Sequence, residues 1–209
     1  MEINFDKDYL RQLYEEGKTT DKKHRFQPNI VARYQLRIKV LEQARSVEEL
    51  YVIHSLHYEV LKGDKAGISS IRVNDQYRIE FTVEQVSSET VVTICNILEL
   101  SNHYRIIMGK YICQRPIHPG ELLKEETEER KLSQRRLAEQ MGISYKVLND
   151  ILNCRRPITT QTAMLFEAAL GISASLLMRM QLDCNMQQAA ADPSFMERLK
   201  QVRKYAAML

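Results

Sequence analysis

The residues best suited to chemistry in the first half of this sequence are basic: Lys62, Arg72 and Arg78. Alternating side chains around the two arginines predict a β-hairpin. Its turn falls at Asn74-Asp75, since both residues tolerate a positive φ better than most. The two guanidinium groups would then lie on neighbouring strands, with Lys62 just upstream. Such cationic groups can hold a phosphate and offset the charge that develops on it during cleavage.

Groups that could move protons follow the last predicted strand, at His103 and Tyr104. Together with the basic side chains, they would let an RNA 2′-OH attack its own phosphodiester without a metal ion or another cofactor. The alternative is that these residues are solvated or ion-paired side chains with a structural role. His54 and His57 are spaced like metal ligands, but no third ligand is obvious, so we predict no metal site.

A second candidate site lies in the other half of the sequence, at residues 133–153. Two short helices are predicted there, over 134–141 and 145–153, and Gly142 suits the turn between them. The small Ala138 would let the two helices cross closely. This pattern is typical of a helix-turn-helix, whose second helix enters the DNA major groove.

The predicted DNA contacts fall into two groups. Side chains near the start of the second helix would face base edges: Tyr145, Lys146 and Asn149. Contacts with the phosphate backbone are expected at the helix starts and just after the second helix, from Gln134, Ser144, Arg155 and Arg156. Each of these residues could instead be a solvated polar side chain.

The elements that position these two sites differ in type. The first half predicts a short strand at 3–5, a helix capped by Asp6, a longer helix over 28–44 and then a small antiparallel sheet, which is an α+β arrangement. The second half predicts an all-α domain whose first helix opens at His118-Pro119 and which includes an extra helix over 193–206.

Charge changes where the structure type changes. Residues 1–107 carry 15 Lys/Arg and 16 Asp/Glu, whereas residues 108–209 carry 15 and 11. We therefore predict two domains with these bounds. The positive balance of the second domain permits nucleic-acid binding without establishing it.

Composition excludes several classes of protein. The 209 residues are 44% hydrophobic and 27% charged, which is ordinary for a soluble globular protein. No apolar run reaches the ~18 residues of a membrane span, so no membrane partner is expected. The four cysteines are scattered, which argues against a zinc knuckle or a disulfide framework and suits a cytoplasmic protein.

Residues 61–67 and 70–81 closely resemble the HigB branch of the RelE-like toxins, and the similarity covers most of residues 1–104. Such toxins are small ribosome-associated endoribonucleases that cut mRNA during translation. The resemblance implies that Arg78 is the leading catalytic residue, with Lys62 and Arg72 as further phosphate-binding candidates.

The chain departs from this family at two places. The family often ends in Asp-Tyr-His, whereas this chain has Asn102-His103-Tyr104, which leaves the individual roles of these residues open. Some relatives also place a catalytic His two positions before Leu61, where this chain has Glu59.

The second half resembles the HigA antitoxins of the Xre class over about residues 115–184, through the segments 117–123, 137–144 and 153–158. The resemblance implies a homodimer that binds palindromic operator DNA and neutralises its toxin.

The two resemblances support each other, because HigB and HigA are partners encoded side by side. We therefore predict a toxin–antitoxin fusion, in which an endoribonuclease domain acting on ribosome-bound mRNA is inhibited by its attached DNA-binding repressor. The alternative is a DNA-binding regulator whose first domain has lost catalysis and serves only for assembly. Met108 could begin a separate antitoxin, so a natural fusion and two joined chains both stay open.

Overall fold

The computed structural model describes residues 1–86, 89–96, 113 and 115–206. In its first half these residues form α1 (Asp8–Glu15), α2 (Pro28–Gln43), α3 (Glu48–Tyr51) and five strands: β1 (Glu2–Phe5), β2 (Glu59–Val60), β3 (Ser69–Arg72), β4 (Arg78–Val86) and β5 (Glu89–Asn96). The predicted α+β arrangement is confirmed.

The strands form one sheet in the order β1-β5-β4-β3-β2. The pairs β2–β3, β3–β4 and β4–β5 are antiparallel, which agrees with the predicted antiparallel sheet. The opening strand joins this sheet in parallel beside β5, so the complete sheet is mixed. The parallel pair is possible because the whole first half of the chain lies between the two strands and provides a long connection.

Two local predictions were wrong in detail. Helix α1 begins at Asp8 with Lys7 at its N-cap, so Asp6 does not cap it. The hairpin turn at 73–77 contains no residue with a positive φ. Instead, the side chain of Asn74 accepts hydrogen bonds from the backbone N–H groups of Gln76 and Tyr77, at 3.0 and 2.8 Å. A side chain therefore closes this turn, and a left-handed backbone is not needed.

The second half is helical over its described residues, as predicted. Its helices are α4 (Pro119–Glu129), α5 (Gln134–Gln140), α6 (Tyr145–Leu152), α7 (Thr160–Leu170), α8 (Ala174–Ala191) and α9 (Pro193–Ala206). The turn between α5 and α6 uses Gly142 at φ +65°. The hydroxyl of Ser144 caps α6 by accepting from the N–H of Val147, at 3.2 Å. None of the described helices is both long and apolar enough to cross a membrane.

The two halves pack against each other through a shared set of buried apolar side chains, which runs from Ile3 to Met180. Helix α2 lies against α8, and α4 lies against the 3-10 turn His54–Leu56. The predicted domain boundary at 107/108 is outside the described residues. What the structure adds is a close contact between α4 and the part of the first half that carries the candidate site.

Candidate functional site

The structure brings Arg72 and Arg78 together at the end of the β3–β4 hairpin. They are direct partners in the antiparallel register, at the last pair before the turn. Opposed residues of an antiparallel pair share one face of the sheet, so both guanidinium groups lie on the same side. Two cations so close would repel each other, and several carboxylates around them offset this repulsion.

Arg78 is held in place by three groups. Its Nε donates to the hydroxyl of Ser70 at 2.7 Å, and its Nη2 donates to the carbonyl oxygen of His57 at 2.8 Å. The same Nη2 forms an ion pair with Glu59, at 2.8 Å. Glu59, the position where some relatives carry a His, therefore acts here as a counter-charge for Arg78.

Arg72 contacts groups from three segments. Its Nη2 forms an ion pair with Asp75 of the hairpin turn. Its Nη1 lies 2.9 Å from Nε2 of His57 and 3.6 Å from Oε2 of Glu129 on α4. A carboxylate from the second half of the chain therefore reaches the basic site of the first half.

His57 is a candidate functional residue, although its spacing in the sequence suggested only a metal ligand. It ends the 3-10 turn His54–Leu56 in the left-handed region, at φ 42°, and its Nε2 is 2.8 Å from Oε1 of Glu129. The described residues contain no group of three or more side chains arranged to hold a metal ion. In the sequence, His57 stands two residues before Glu59, the position where some relatives carry a catalytic His. That nearness was the one feature of the sequence that could have pointed to His57.

Lys62, another predicted catalytic residue, is not part of this cluster. Lys62 is exposed, and no acceptor for its ammonium group is found among the described residues. The neighbouring Lys65 pairs with Glu80, at 2.8 Å. His103 and Tyr104 lie outside the residues that the structure describes, as does Asn102, so their proposed part in proton transfer stays a prediction.

A buried carboxylate on α4 fixes the segment that carries His57. The side chain of Glu126 is fully buried and accepts from the backbone N–H groups of His54 and Ser55, at 2.9 and 2.8 Å. It also pairs with Arg130, one helical turn later, at 2.5 Å. These charge-assisted bonds satisfy a carboxylate that would otherwise be costly to bury.

The helix-turn-helix also presents a polar surface. The aromatic ring of Tyr145 is about half exposed, and Ser144, Lys146 and Arg156 are exposed around the start and beyond the end of α6. These four side chains are therefore accessible at the surface of the helix-turn-helix.

Asn149 differs from this group, because both ends of its amide are already engaged. Its Nδ2 donates to Oε1 of Gln134 at 3.3 Å, and its Oδ1 accepts from Nη2 of Arg155 at 2.7 Å. Arg155 also lies 3.4 Å from a carboxylate oxygen of Asp150. Asn149, Gln134 and Arg155 therefore form one network, and base reading by Asn149 requires that network to open.

Two regions of the chain match known protein families. Residues 3–94 match the family described as the RelE-like toxin of the type II toxin-antitoxin system HigB, and residues 123–177 match a family described as helix-turn-helix. The toxin HigB-1 of Vibrio cholerae serotype O1 is 34% identical over 82 residues, which cover 39% of this chain and 82% of that protein.

Solved structures are similar to part of the chain. An addiction module antidote protein of the HigA family from Coxiella burnetii is 31% identical, covering 43% of this chain and 94% of that one, with a TM-score of 0.36. The Pseudomonas aeruginosa antitoxin HigA with the higBA promoter is 30% identical, covering 42% of this chain and 91% of that one, with a TM-score of 0.36.

Proposed function

Because the chain belongs to the HigB-like family of RelE toxins and continues into a helix-turn-helix domain, we propose that it is a toxin–antitoxin fusion. Its first half, residues 1–107, is an endoribonuclease that cuts mRNA on the ribosome. Its second half, residues 108–209, binds operator DNA, represses its own operon and holds the first half inactive in the cytoplasm.

The observation that carries the nuclease proposal is the pairing of Arg72 with Arg78 on one face of the hairpin. When a 2′-OH attacks the neighbouring phosphorus, negative charge builds up on the phosphoryl oxygens. Two guanidinium groups held by the protein stabilise that charge without reorganisation. Two of the three partners of Arg78 are uncharged, the Ser70 hydroxyl and the His57 carbonyl oxygen, so they hold its guanidinium in place without neutralising it.

Proton transfer completes the reaction. A base takes the proton of the 2′-OH, and an acid returns a proton to the departing 5′ oxygen. In our proposal His103 and Tyr104 supply these groups, and Lys62 binds a neighbouring phosphate. The unperturbed pKa of a histidine, ~6.5, suits either task near neutral pH.

Inhibition by the second half is supported by the position of α4. Glu126 binds the backbone of His54 and Ser55, and Arg130 donates to the carbonyl oxygen of Val52, at 2.7 Å. These contacts place α4 beside the arginine pair, where it restricts access for a ribosome-bound RNA.

DNA binding is supported by the exposed residues around α6. In our proposal Tyr145, Lys146 and, once its network opens, Asn149 face base edges. The phosphate contacts come from Gln134, Ser144, Arg155 and Arg156. A homodimer formed through the second half would match the two-fold symmetry of a palindromic operator.

The test is to express residues 1–107 alone and compare them with the full chain. We expect the fragment to arrest growth and cut translated mRNA, mapped by primer extension, whereas the full chain does neither. The matched control is the fragment with both Arg72→Ala and Arg78→Ala, adjusted by immunoblot to the same soluble level. A soluble fragment that is as harmless as this control would contradict the nuclease proposal.

That outcome would favour a second candidate function, a DNA-binding regulator whose RelE-like domain is inactive and serves only for assembly. The ion pair between Arg78 and Glu59 favours this candidate, because a fixed carboxylate beside the leading catalytic residue competes with a phosphate. In that case the full chain would still bind its operator.

A further inference from the structure

We propose that His57 and Arg72 form an anion subsite for an RNA phosphodiester, and that Glu129 of α4 occupies this subsite in the full chain. The inference rests on the proposed function, because it assumes that the first half binds RNA. It adds a binding residue, His57, and names the group that keeps RNA out.

The geometry of Glu129 resembles that of a bound phosphodiester. Its two carboxylate oxygens meet two different groups: Oε1 lies 2.8 Å from Nε2 of His57, and Oε2 lies 3.6 Å from Nη1 of Arg72. A phosphodiester also presents two charged oxygens from one centre, so the same two side chains can hold either anion. Nε2 of His57 also lies 2.9 Å from Nη1 of Arg72, and one nitrogen cannot accept from Arg72 and donate to an anion at once. In the form that carries a proton on Nε2, His57 donates to whichever anion is present.

The subsite is continuous with the rest of the arginine pair. The carbonyl oxygen of His57 accepts from Nη2 of Arg78, so the backbone at His57 and the Arg78 side chain are fixed relative to each other. The side chains of His57, Arg72 and Glu129 are 43%, 29% and 34% exposed. The subsite therefore opens to solvent at the surface, where an RNA strand could enter once Glu129 leaves.

Helix α4 positions Glu129 beside His57 and Arg72. Glu126 anchors the helix to the backbone of His54 and Ser55, and Glu129 follows three residues later on the same helix face. The anchored segment continues directly into His57. Glu126, which binds the backbone of His54 and Ser55, and Glu129, which contacts the His57 ring, therefore both bind the short stretch 54–57.

A tethered carboxylate is an effective competitor even though the contact itself is weak. Exposed ion pairs contribute little, but a group on the same chain has an effective local concentration of about 1 mM or more. Free RNA in a cell would have to compete with that concentration. Removal of the Glu129 carboxylate should therefore open the subsite without unfolding the protein, because Glu126 still holds α4 in place.

The test uses the full chain and a short 2′-O-methyl RNA oligonucleotide, which cannot be cleaved through its 2′ position. Its affinity is measured by fluorescence anisotropy at low salt. Glu129→Ala should bind roughly tenfold more tightly than the unmutated chain. The matched control is Glu128→Ala, which removes the same charge from the adjacent exposed position and should bind like the unmutated chain.

Two double variants assign the gain to the subsite. Glu129→Ala combined with His57→Ala, and Glu129→Ala combined with Arg72→Ala, should each lose the added affinity, because each removes one donor to the phosphodiester. If Glu129→Ala binds no better than Glu128→Ala, the inference is overturned. It is also overturned if the gain persists in both double variants, because the RNA would then bind elsewhere, for instance on the helix-turn-helix.

Glu129→Gln separates the loss of charge from a folding defect, because it keeps the size of the side chain and removes only its charge. It should reproduce the gain, and a failure to do so in a folded protein counts against the inference. The proposed nuclease is tested separately, since oligonucleotide binding requires no cleavage. A chain that gains RNA affinity in Glu129→Ala but whose first half never cuts mRNA would support the subsite and contradict the nuclease.

Discussion

Arg37 of α2 forms an ion pair with Glu125 of α4, with 2.5 Å between Nη2 and Oε2. The Arg37 side chain is only 3% exposed. Its Nε donates to the carbonyl oxygen of Arg72, at 2.8 Å. One buried guanidinium therefore connects the strand that carries the candidate active site to the helix-turn-helix half of the chain.

Glu125→Ala should lower the free energy of unfolding of the full chain by ~3 kcal/mol, because it leaves the buried charge of Arg37 without its partner. Urea denaturation followed by circular dichroism measures this change. Glu128→Ala, at an exposed position on the same helix, should stay within ~0.5 kcal/mol of the unmutated chain. Equal stability of the two variants would mean that Arg37 finds another counter-charge.

The pattern of α2 shows what could be predicted from the sequence. The spacing of Ile30, Tyr34 and Ile38 correctly predicts a helix with one buried apolar face. The structure also buries Arg37 and Lys39, because Glu125 and Asp183 of the second half cover them. Periodicity identifies an apolar face, but it does not show that a distant segment will cover the polar one.

The candidate site also has one part that local sequence patterns predict and one part that they do not. Alternation over a short stretch of sequence predicts that Arg72 and Arg78 lie on neighbouring strands of one hairpin. Their direct pairing comes from the turn at 73–77, which the sequence did not specify. The contact between His57 and Glu129 joins residues that are 72 positions apart. It depends on how two halves dock, which local sequence patterns do not encode.

Arg78→Ala in the fragment 1–107 should slow mRNA cleavage by ~10²–10³-fold, because one preorganised donor to the developing phosphoryl charge is lost. Cleavage rates on translating ribosomes measure the effect. Lys18→Ala is the matched control, since it removes an exposed cation that does not lie on the β3–β4 hairpin. If Arg78→Ala cuts as fast as this control, Arg78 has no part in the reaction.

Lys146→Ala should reduce the preference of the full chain for its operator over random DNA, by ~1–3 kcal/mol for a good base contact. Arg156→Ala should instead weaken binding to both DNAs and lower the slope of the salt dependence by ~1, as expected for a phosphate contact. Anisotropy titrations at several salt concentrations separate the two effects. An unchanged ratio of operator to random binding in Lys146→Ala would place its side chain away from the bases.

His118 should make stability depend on pH. Burial lowers the pKa of His118, whose Nδ1 accepts from the N–H of Gly120 at 2.9 Å and so caps α4 in the neutral form. The unfolded chain therefore binds the proton more readily. The contribution to stability is full above the unfolded pKa of ~6.5 and is lost as pH falls through the lower folded pKa.

The check is urea denaturation between pH 7 and pH 5. His118→Asn keeps a capping acceptor but does not titrate, so its free energy of unfolding should fall less over this range than that of the unmutated chain. His54→Asn, at an exposed histidine, is the matched control and should fall as the unmutated chain does. Equal losses in all three proteins would show that His118 does not carry the pH dependence.

Gly120→Ala should separate α4 from α6 and impair DNA binding. An added Cβ at Gly120 would lie 2.0 Å from the carbonyl oxygen of Ile151 and 2.8 Å from Nδ1 of His118. A backbone carbonyl cannot move aside as a flexible side chain does, so we expect a loss of ~1–3 kcal/mol in stability and weaker operator binding. The comparison is Gly142→Ala, where the added Cβ meets no atom within 4 Å but the backbone is left-handed, at φ +65°.

That comparison separates loss of stability from displacement of the DNA-binding helix. Gly142→Ala should cost ~1 kcal/mol through backbone strain, yet keep its operator affinity once folded, because nothing pushes α6 away. Both variants are measured by urea denaturation and by operator titration under conditions in which each is fully folded. If folded Gly120→Ala binds the operator as tightly as Gly142→Ala, the close approach of α4 to α6 does not set the position of the recognition helix.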